Sequence, residues 1–196
     1  MPPKVAGLLL AAGSGSRLGR PKALVVVAGR SLVARGVDLL RDGGADPVIV
    51  VTGAAELADS PGPGVVSVRN PDWATGMGSS LAAGLAAAPP DRVAAVIALA
   101  DQPLVGPESV RRLIAAFESG ARVAVACYEG RPRNPVLIGR EHWSEVVALA
   151  TGDVGARPFL RSHPDLVTHV ECGDVGRPDD IDSPEDLASA ERLLAT

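Results

Sequence analysis

Five apolar runs, at residues 5–10, 48–51, 65–68, 93–100 and 123–126, punctuate the chain, and none alternates with polar residues. A strand with one wet face alternates. A strand covered on both faces reads as a continuous run, the pattern of a parallel sheet sandwiched between helices. Between the runs lie residues 32–41, 79–88 and 107–119, where apolar side chains recur at three- and four-residue steps. Val110, Leu113, Ile114 and Phe117 make the clearest stripe, with Pro107 suited to a first helical turn and Gly120 to a stop. A last helix over 184–194 follows Ser183 as N-cap, with Asp186 three residues on. This rhythm predicts a doubly wound, three-layer α/β/α sandwich on a mostly parallel sheet. Residues 128–164 are less regular: an Arg- and Pro-rich stretch, a short helix around 141–150, then 152–161. With no linker, repeat or low-complexity tract, the expectation is a single domain, 1–196, with a substrate-side elaboration in its second half.

Composition excludes several classes. An apolar share of 46% and a charged share of 21% fit neither a disordered nor a fibrous chain. With 19 Lys and Arg against 23 Asp and Glu, the net charge of −4 argues against a nucleic-acid binder, which needs a basic surplus. No apolar run approaches the ~18 residues that span a bilayer, so no membrane partner is expected. Lys4 followed by residues 5–12 imitates a signal peptide, but the run is one strand long and enters a Gly/Ser loop. Cys127 and Cys172 form no C-x-x-C and read as two reduced, buried or half-buried thiols; a cytoplasmic location is expected. His142, His163 and His169 form no ligand-spaced cluster and read as surface or packing residues. Of the 19 bases only Lys4 and Lys22 are lysines, which draws attention to Lys22.

In a doubly wound sheet, ligands bind beyond the carboxyl ends of the strands, and the first strand-to-helix loop is the usual phosphate site. That loop reads Leu10-Ala11-Ala12-Gly13-Ser14-Gly15-Ser16-Arg17-Leu18-Gly19-Arg20-Pro21-Lys22. It is not a dinucleotide loop, because Leu18 stands where the third glycine belongs. It is not a P-loop either, because Lys22 lies between Pro21 and Ala23. It still has the parts of a phosphate loop. Gly13 and Gly15 let backbone N–H groups approach an anion, and Arg17 and Lys22 add a fork and a point charge. Pro21 fixes the backbone beside Lys22. The competing reading is a Gly/Ser turn with two solvated bases.

Further motifs follow the strands. Asn70 to Leu81 carries Trp73, Gly76 and Gly78, then Ser79 and Ser80, whose hydroxyls and N–H groups sit at a helix start. Trp73 reads as a packed lid residue. Asp101, followed by Gln102-Pro103, leaves the run 93–100; a carboxylate there, beside a phosphate loop, suits Mg²⁺. Residues 180–186, Asp-Ile-Asp-Ser-Pro-Glu-Asp, have a sufficient explanation as a helix start.

Taken in order, these segments resemble the MobA-like NTP transferase family. The first loop is similar to its L-A-A-G-x-x-x-R-[ML]-G-x-P-K signature, and residues 70–81 to its N-x-x-W-x-x-G-M-x-S-S-L. Asp101-Gln102-Pro103 matches its D-Q-P, residues 180–186 its D-x-D-[ST]-P-E-D, and residues 152–157 its G-D-x-G-A-R. The resemblance is closest to the molybdenum cofactor cytidylyltransferases, with Ala12 the residue that separates them from guanylyltransferases. It implies transfer of CMP from CTP to molybdopterin-type molybdenum cofactor with release of pyrophosphate, a molybdoenzyme apoprotein being a further partner.

By residue, the resemblance gives Arg17 and Lys22 catalytic roles and makes Leu10, Ala11, Ala12, Gly13, Gly15, Gly76, Gly78, Ser79 and Ser80 nucleotide-binding. Asp101 holds Mg²⁺ with Asp182 as second ligand, Asp180 being the weaker candidate. Asn134, Asp153 and Arg157 lie on the acceptor side, about residues 127–165, while the N-terminal half binds nucleotide. The family's G-H-P-V is replaced by Arg133-Asn134-Pro135-Val136, so an acceptor contact through that histidine does not carry over. Three alternatives stand: another NTP or acceptor, such as GTP or a sugar phosphate; an NAD(P)H-dependent oxidoreductase of the nicotine-blue type; and a non-catalytic cofactor carrier.

Overall fold

A computed structural model describes residues 4–55, 57 and 62–195, so both ends of the expected 1–196 domain lie outside the described residues. The first apolar run is strand β1, Val5–Leu10, buried along its whole length. It is flanked by β4, Val48–Thr52, and β6, Ala94–Leu99, both parallel to it. A two-residue hairpin, β2 (Val26–Val27) and β3 (Arg30–Ser31), intervenes before the first helix. Beyond β4 lies β5, Val65–Arg69; beyond β6 lie β8, Arg131–Gly139, β7, Val123–Tyr128, and β9, Val167–Glu171. The seven-stranded order is β5-β4-β1-β6-β8-β7-β9, with β8 antiparallel to both neighbours and the other pairings parallel. This is the expected mostly parallel sandwich.

The period-two alternation of strand side chains divides β1 between two cores. Leu9 faces helices α1, Leu32–Asp42, and α3, Pro107–Glu118, through Val33, Val37, Leu40, Val110 and Leu113. Leu8 and Leu10 face α2, Met77–Ala87, α4, Trp143–Leu149, and α5, Arg157–Ser162, through Leu81, Leu85, Val146 and Phe159. Each fully buried Leu or Phe contributes roughly 1.5–3 kcal/mol, so both faces of the sheet are anchored. Ala190 of the last helix, α6, Pro184–Leu194, and Ile181 just before it pack with Val25, Val27 and Leu32 around the hairpin and the start of α1. Its start is the expected capping box: the Ser183 hydroxyl accepts from Asp186 N, and Asp186 Oδ2 accepts from Ser183 N. Among the described residues no helix is long and apolar enough to cross a membrane.

Three sequence readings need correction. The run 65–68 is an edge strand with Val66 exposed, so it is not covered on both faces. The irregular stretch after Tyr128 contains β8, a nine-residue strand inside the sheet. Pro132 and Pro135 disguise it, because proline cannot donate to a ladder. They are tolerated because β6 pairs only with residues 136–139, leaving the proline-bearing half beside β7 alone. β9 is a further strand, and with two half-buried positions among exposed ones it carries no apolar run to mark it.

Candidate active site

Strands β1 and β6 are neighbours, and their carboxyl ends release the two loops that build the site. The loop after β1 turns back on itself. Lys22 N donates to Gly13 O at 3.3 Å, and Gly15 has φ 58°, where a Cβ would stand 2.1 Å from Arg20 O. Only glycine fits there. The N–H groups of Gly13, Ser14 and Gly15 donate to no acceptor among the described residues. Gly13 and Ser14 line a cleft, so their free N–H groups are available to an anion there.

Lys22 closes this loop onto Asp101. Its Nζ donates to Asp101 Oδ2 at 2.5 Å and to Asp182 Oδ1 at 2.6 Å. The strap 178–182 reaches the site through Ile181 N, which donates to Asp101 O at 2.8 Å. Gln102 Nε2 fastens the same strap, donating to Asp180 Oδ1 at 2.8 Å and to Pro178 O at 3.4 Å. Asp182 N in turn donates to Asp186 Oδ2, tying Asp182 to the α6 cap. Burial works to lower the Lys22 pKa, but the charge and hydrogen bond of Asp101, then those of Asp182, raise it above the ordinary value. Lys22 is therefore a fixed cation, not a base. Burial, then the Asp101 charge, pushes the Asp180 carboxyl up, against the Gln102 hydrogen bond. Arg17 is peripheral, three-quarters exposed, with Nη1 3.6 Å from Asp182 Oδ2.

Two clefts meet here. The smaller, about 330 Å³, is lined by Leu10, Ala11, Ala12, Gly13, Lys22 and Asp101, with Trp73, Gly76 and Asp153 opposite. The larger, about 790 Å³, takes in Asp101, Asp180 and Asp182 at one end and Asn134 and Arg157 elsewhere. Leu10, Met77, Leu99 and Asp101 line both. Trp73 packs over Gly53 and Ala12: a Cβ on Gly53 would meet Trp73 Cβ at 2.4 Å and Ala12 Cβ at 2.9 Å.

Several sequence-predicted residues sit differently from expectation. Gly78 faces the α4 terminus, where a Cβ would stand 1.9 Å from Ala150 O, so its glycine serves helix–loop packing. The serine hydroxyls are turned inward: Asn70 Nδ2 donates to Ser79 Oγ at 2.8 Å and to Ser80 Oγ at 3.0 Å, while Ser79 Oγ donates to the carbonyls of Asp72 and Gly76. Asp153 lies in the smaller cleft rather than beside Asn134 and Arg157; its Oδ1 accepts from Met77 N at 3.2 Å. His169, read as a surface or packing residue, lines the larger cleft, as do Arg133 and Arg161. His142 and His163 do pack, on the Phe159 ring. Sequence reasoning missed Gln102 and Asn70 as positioning residues, although both stand inside recognised motifs. Arg161 could have been found as the residue four beyond Arg157, one turn along the same face.

The chain's fit to a divalent metal can be judged from its own atoms. Asp101 Oδ1 is buried with no hydrogen-bond partner among the described residues, and a cation already sits between Asp101 and Asp182 in the form of the Lys22 ammonium. No group of three or more acidic, histidine or cysteine side chains is assembled for a metal among the described residues. Two hard carboxylates with the remaining ligands from phosphate and water suit Mg²⁺ or Mn²⁺.

Comparison with known proteins gives a consistent picture. The MobA-like NTP transferase domain matches residues 7–167. Nicotine blue oxidoreductase of Paenarthrobacter nicotinovorans is 38% identical, covering 94% of this chain and 95% of its own. Molybdenum cofactor guanylyltransferase of Rhizobium johnstonii is 31% identical, covering 97% and 93%. The Rv0371c homolog from Mycobacterium sp. strain JC1 superposes with a TM-score of 0.80 at 30% identity, over 96% of this chain and 98% of that one. Rv0371c of Mycobacterium tuberculosis H37Rv, solved as a complex with manganese, does so with a TM-score of 0.74 at 26% identity, over 98% and 100%.

Proposed function

The chain belongs to the MobA-like NTP transferase family, and we propose that it transfers CMP from CTP to the phosphate of a molybdopterin-type cofactor, releasing pyrophosphate. The observation that carries this reading is the Lys22 ammonium held between Asp101 and Asp182 where the two clefts meet. Group transfer needs that layout: donor in the smaller cleft, acceptor in the larger, and a fixed charge between them.

The triphosphate lies along the free N–H groups of Gly13, Ser14 and Gly15, which position it without reorganisation. The acceptor phosphate is already an anion near neutral pH, so attack on the α-phosphorus needs no general base. Lys22, kept protonated by its two carboxylates, neutralises charge as the bond to pyrophosphate breaks. Arg17, held only at 3.6 Å, is free to turn toward the departing phosphates. A divalent cation held by Asp101 and Asp182, as the manganese complex of Rv0371c supports, would supply further charge neutralisation when bound. Ala12 lines the smaller cleft, and the form of the loop it gives, Ala-Ala-Gly, is the one that resembles the cytidylyltransferases, which favours CTP. Lys22→Ala and Asp101→Ala are each expected to lower pyrophosphate release about 10²–10³-fold. Near-normal turnover in both variants would sink the mechanism.

A second reading, reduction of a dye by NAD(P)H, is favoured by the 38% identity to nicotine blue oxidoreductase over nearly the full length. Against it stands Leu18 at the third glycine position of a dinucleotide loop. Loss of NADPH absorbance with candidate dyes, unaffected by Lys22→Ala, would replace the transferase reading.

A further inference from the structure

Most of the chain's arginines are engaged by the protein itself. Arg112 pairs with Asp174, Arg177 with Asp179, and Arg35 and Arg140 donate to backbone carbonyls. Arg157 and Arg161 have no ion-pair or hydrogen-bond partner among the described residues, and Arg133 reaches only the adjacent Pro132 carbonyl at 3.3 Å. All three line the larger cleft together with His169. Arg157 and Arg161 stand four apart on α5 and so share a face; Arg133 comes from β8 and His169 from β9.

The cleft is therefore polarised. Asp101 and Asp182 mark its end beside β1 and β6, the floor is apolar through Ile97, Val125 and Val136, and the guanidinium groups lie toward β8 and α5, with the His169 imidazole on β9. From β6 to β9 is three strand spacings, about 14 Å at ~4.8 Å each. A chain of net charge −4 has no bulk field to recruit anions, so unpaired cations gathered on one rim act locally.

We infer that Arg157, Arg161, Arg133 and His169 form a second anion subsite, and that the acceptor lays a flat body on the apolar floor and carries an anionic group remote from the phosphate that receives the nucleotide. This rests on the reading of the larger cleft as the acceptor side. Arg157 and Arg161 hold the remote anion with guanidinium groups that no carboxylate of the described residues neutralises. They would thereby orient the acceptor, anion outward and reactive phosphate toward Lys22.

The test uses two fluorescent probes of the same apolar body, 8-anilinonaphthalene-1-sulfonate and the uncharged N-phenyl-1-naphthylamine, titrated into the full-length protein. The wild type is expected to bind the sulfonate about tenfold more tightly. In Arg157→Ala/Arg161→Ala that preference should fall to about twofold or less, with the uncharged probe unaffected. Arg192→Ala, an arginine outside the cleft, should keep the preference. Equal affinities in the wild type, or a preference that survives the double substitution, overturns the inference. CTP binding to the wild type, measured in parallel by calorimetry, separates the two readings. If CTP binds and the sulfonate preference is missing, the subsite alone fails; if no nucleotide binds while the Arg-dependent preference holds, the transferase reading alone fails.

Discussion

Lys22→Met tests how the two site carboxylates are held. Methionine keeps most of the stem's volume and removes the charge. The side chains of Lys22 and Asp101 are 19% and 18% exposed, and Asp101 Oδ1 already lacks a partner. Without the ammonium, Asp101 keeps a largely buried, uncompensated charge. Deleting one member of a fully buried pair costs ~3–5 kcal/mol. Residual exposure lowers this, and Asp182, at 45% exposed, is screened enough to add little. Lys22→Met should therefore destabilise the fold by about 2–4 kcal/mol, read by urea unfolding at neutral pH. Adding Asp101→Asn removes the stranded charge, so the double variant should recover part of the loss, with a coupling of ~1–3 kcal/mol. Mn²⁺ should raise the midpoint of Lys22→Met more than that of the wild type, since it takes over the ammonium's position. Losses that simply add, within about 0.5 kcal/mol, would refute the shared-cation account.

Three further outcomes are expected. Gly78→Ala drives a Cβ to within 1.9 Å of Ala150 O, and should cost about 1–3 kcal/mol by thermal or urea unfolding; an unchanged midpoint would mean that α2 and the α4 terminus are not in firm contact. Asn70→Ala removes the donor to the Ser79 and Ser80 oxygens and the acceptor of the Asp72 N–H, and should cost ~1–3 kcal/mol, because Asn70 is buried and makes all three bonds. Hydrogen bonds from Gly173 N, then Gly130 N, hold the Glu171 carboxyl below the usual carboxylate range. A depressed acid pKa adds stability above the unfolded value that is lost as pH falls through the folded one. Glu171→Gln should therefore be less stable than wild type at neutral pH, with the gap closing below about pH 4; a gap that persists in acid would disprove the linkage.

What the sequence disclosed, and what it hid, follows from how locally each feature is encoded. β1 and the loop to Lys22 are contiguous, so a buried run followed by glycines and a lysine marked the loop as a candidate phosphate site from sequence alone. Asp101 was visible for the same reason, at the end of a second buried run. Asp182 was not separable from its role as a helix start, because what brings it to Lys22 is the Ile181 N–Asp101 O bond across 80 residues of chain. β8 was hidden by prolines whose missing donors matter only if β6 pairs beside them, and that depends on register. Ser79 and Ser80 read as ligands from sequence, which could not show that Asn70, nine and ten residues earlier, donates to both hydroxyl oxygens; Ser80 still lines the smaller cleft. His169 carries no motif; it reaches the cleft because β9 adds parallel to β7.

The most direct test of the central claim is pyrophosphate release by the purified protein with each of the four NTPs, with and without molybdenum cofactor. Release is expected with CTP, dependent on the cofactor and lowered about 10²–10³-fold in Lys22→Ala. Release with none of the four under any acceptor, or release that Lys22→Ala leaves intact, would contradict it.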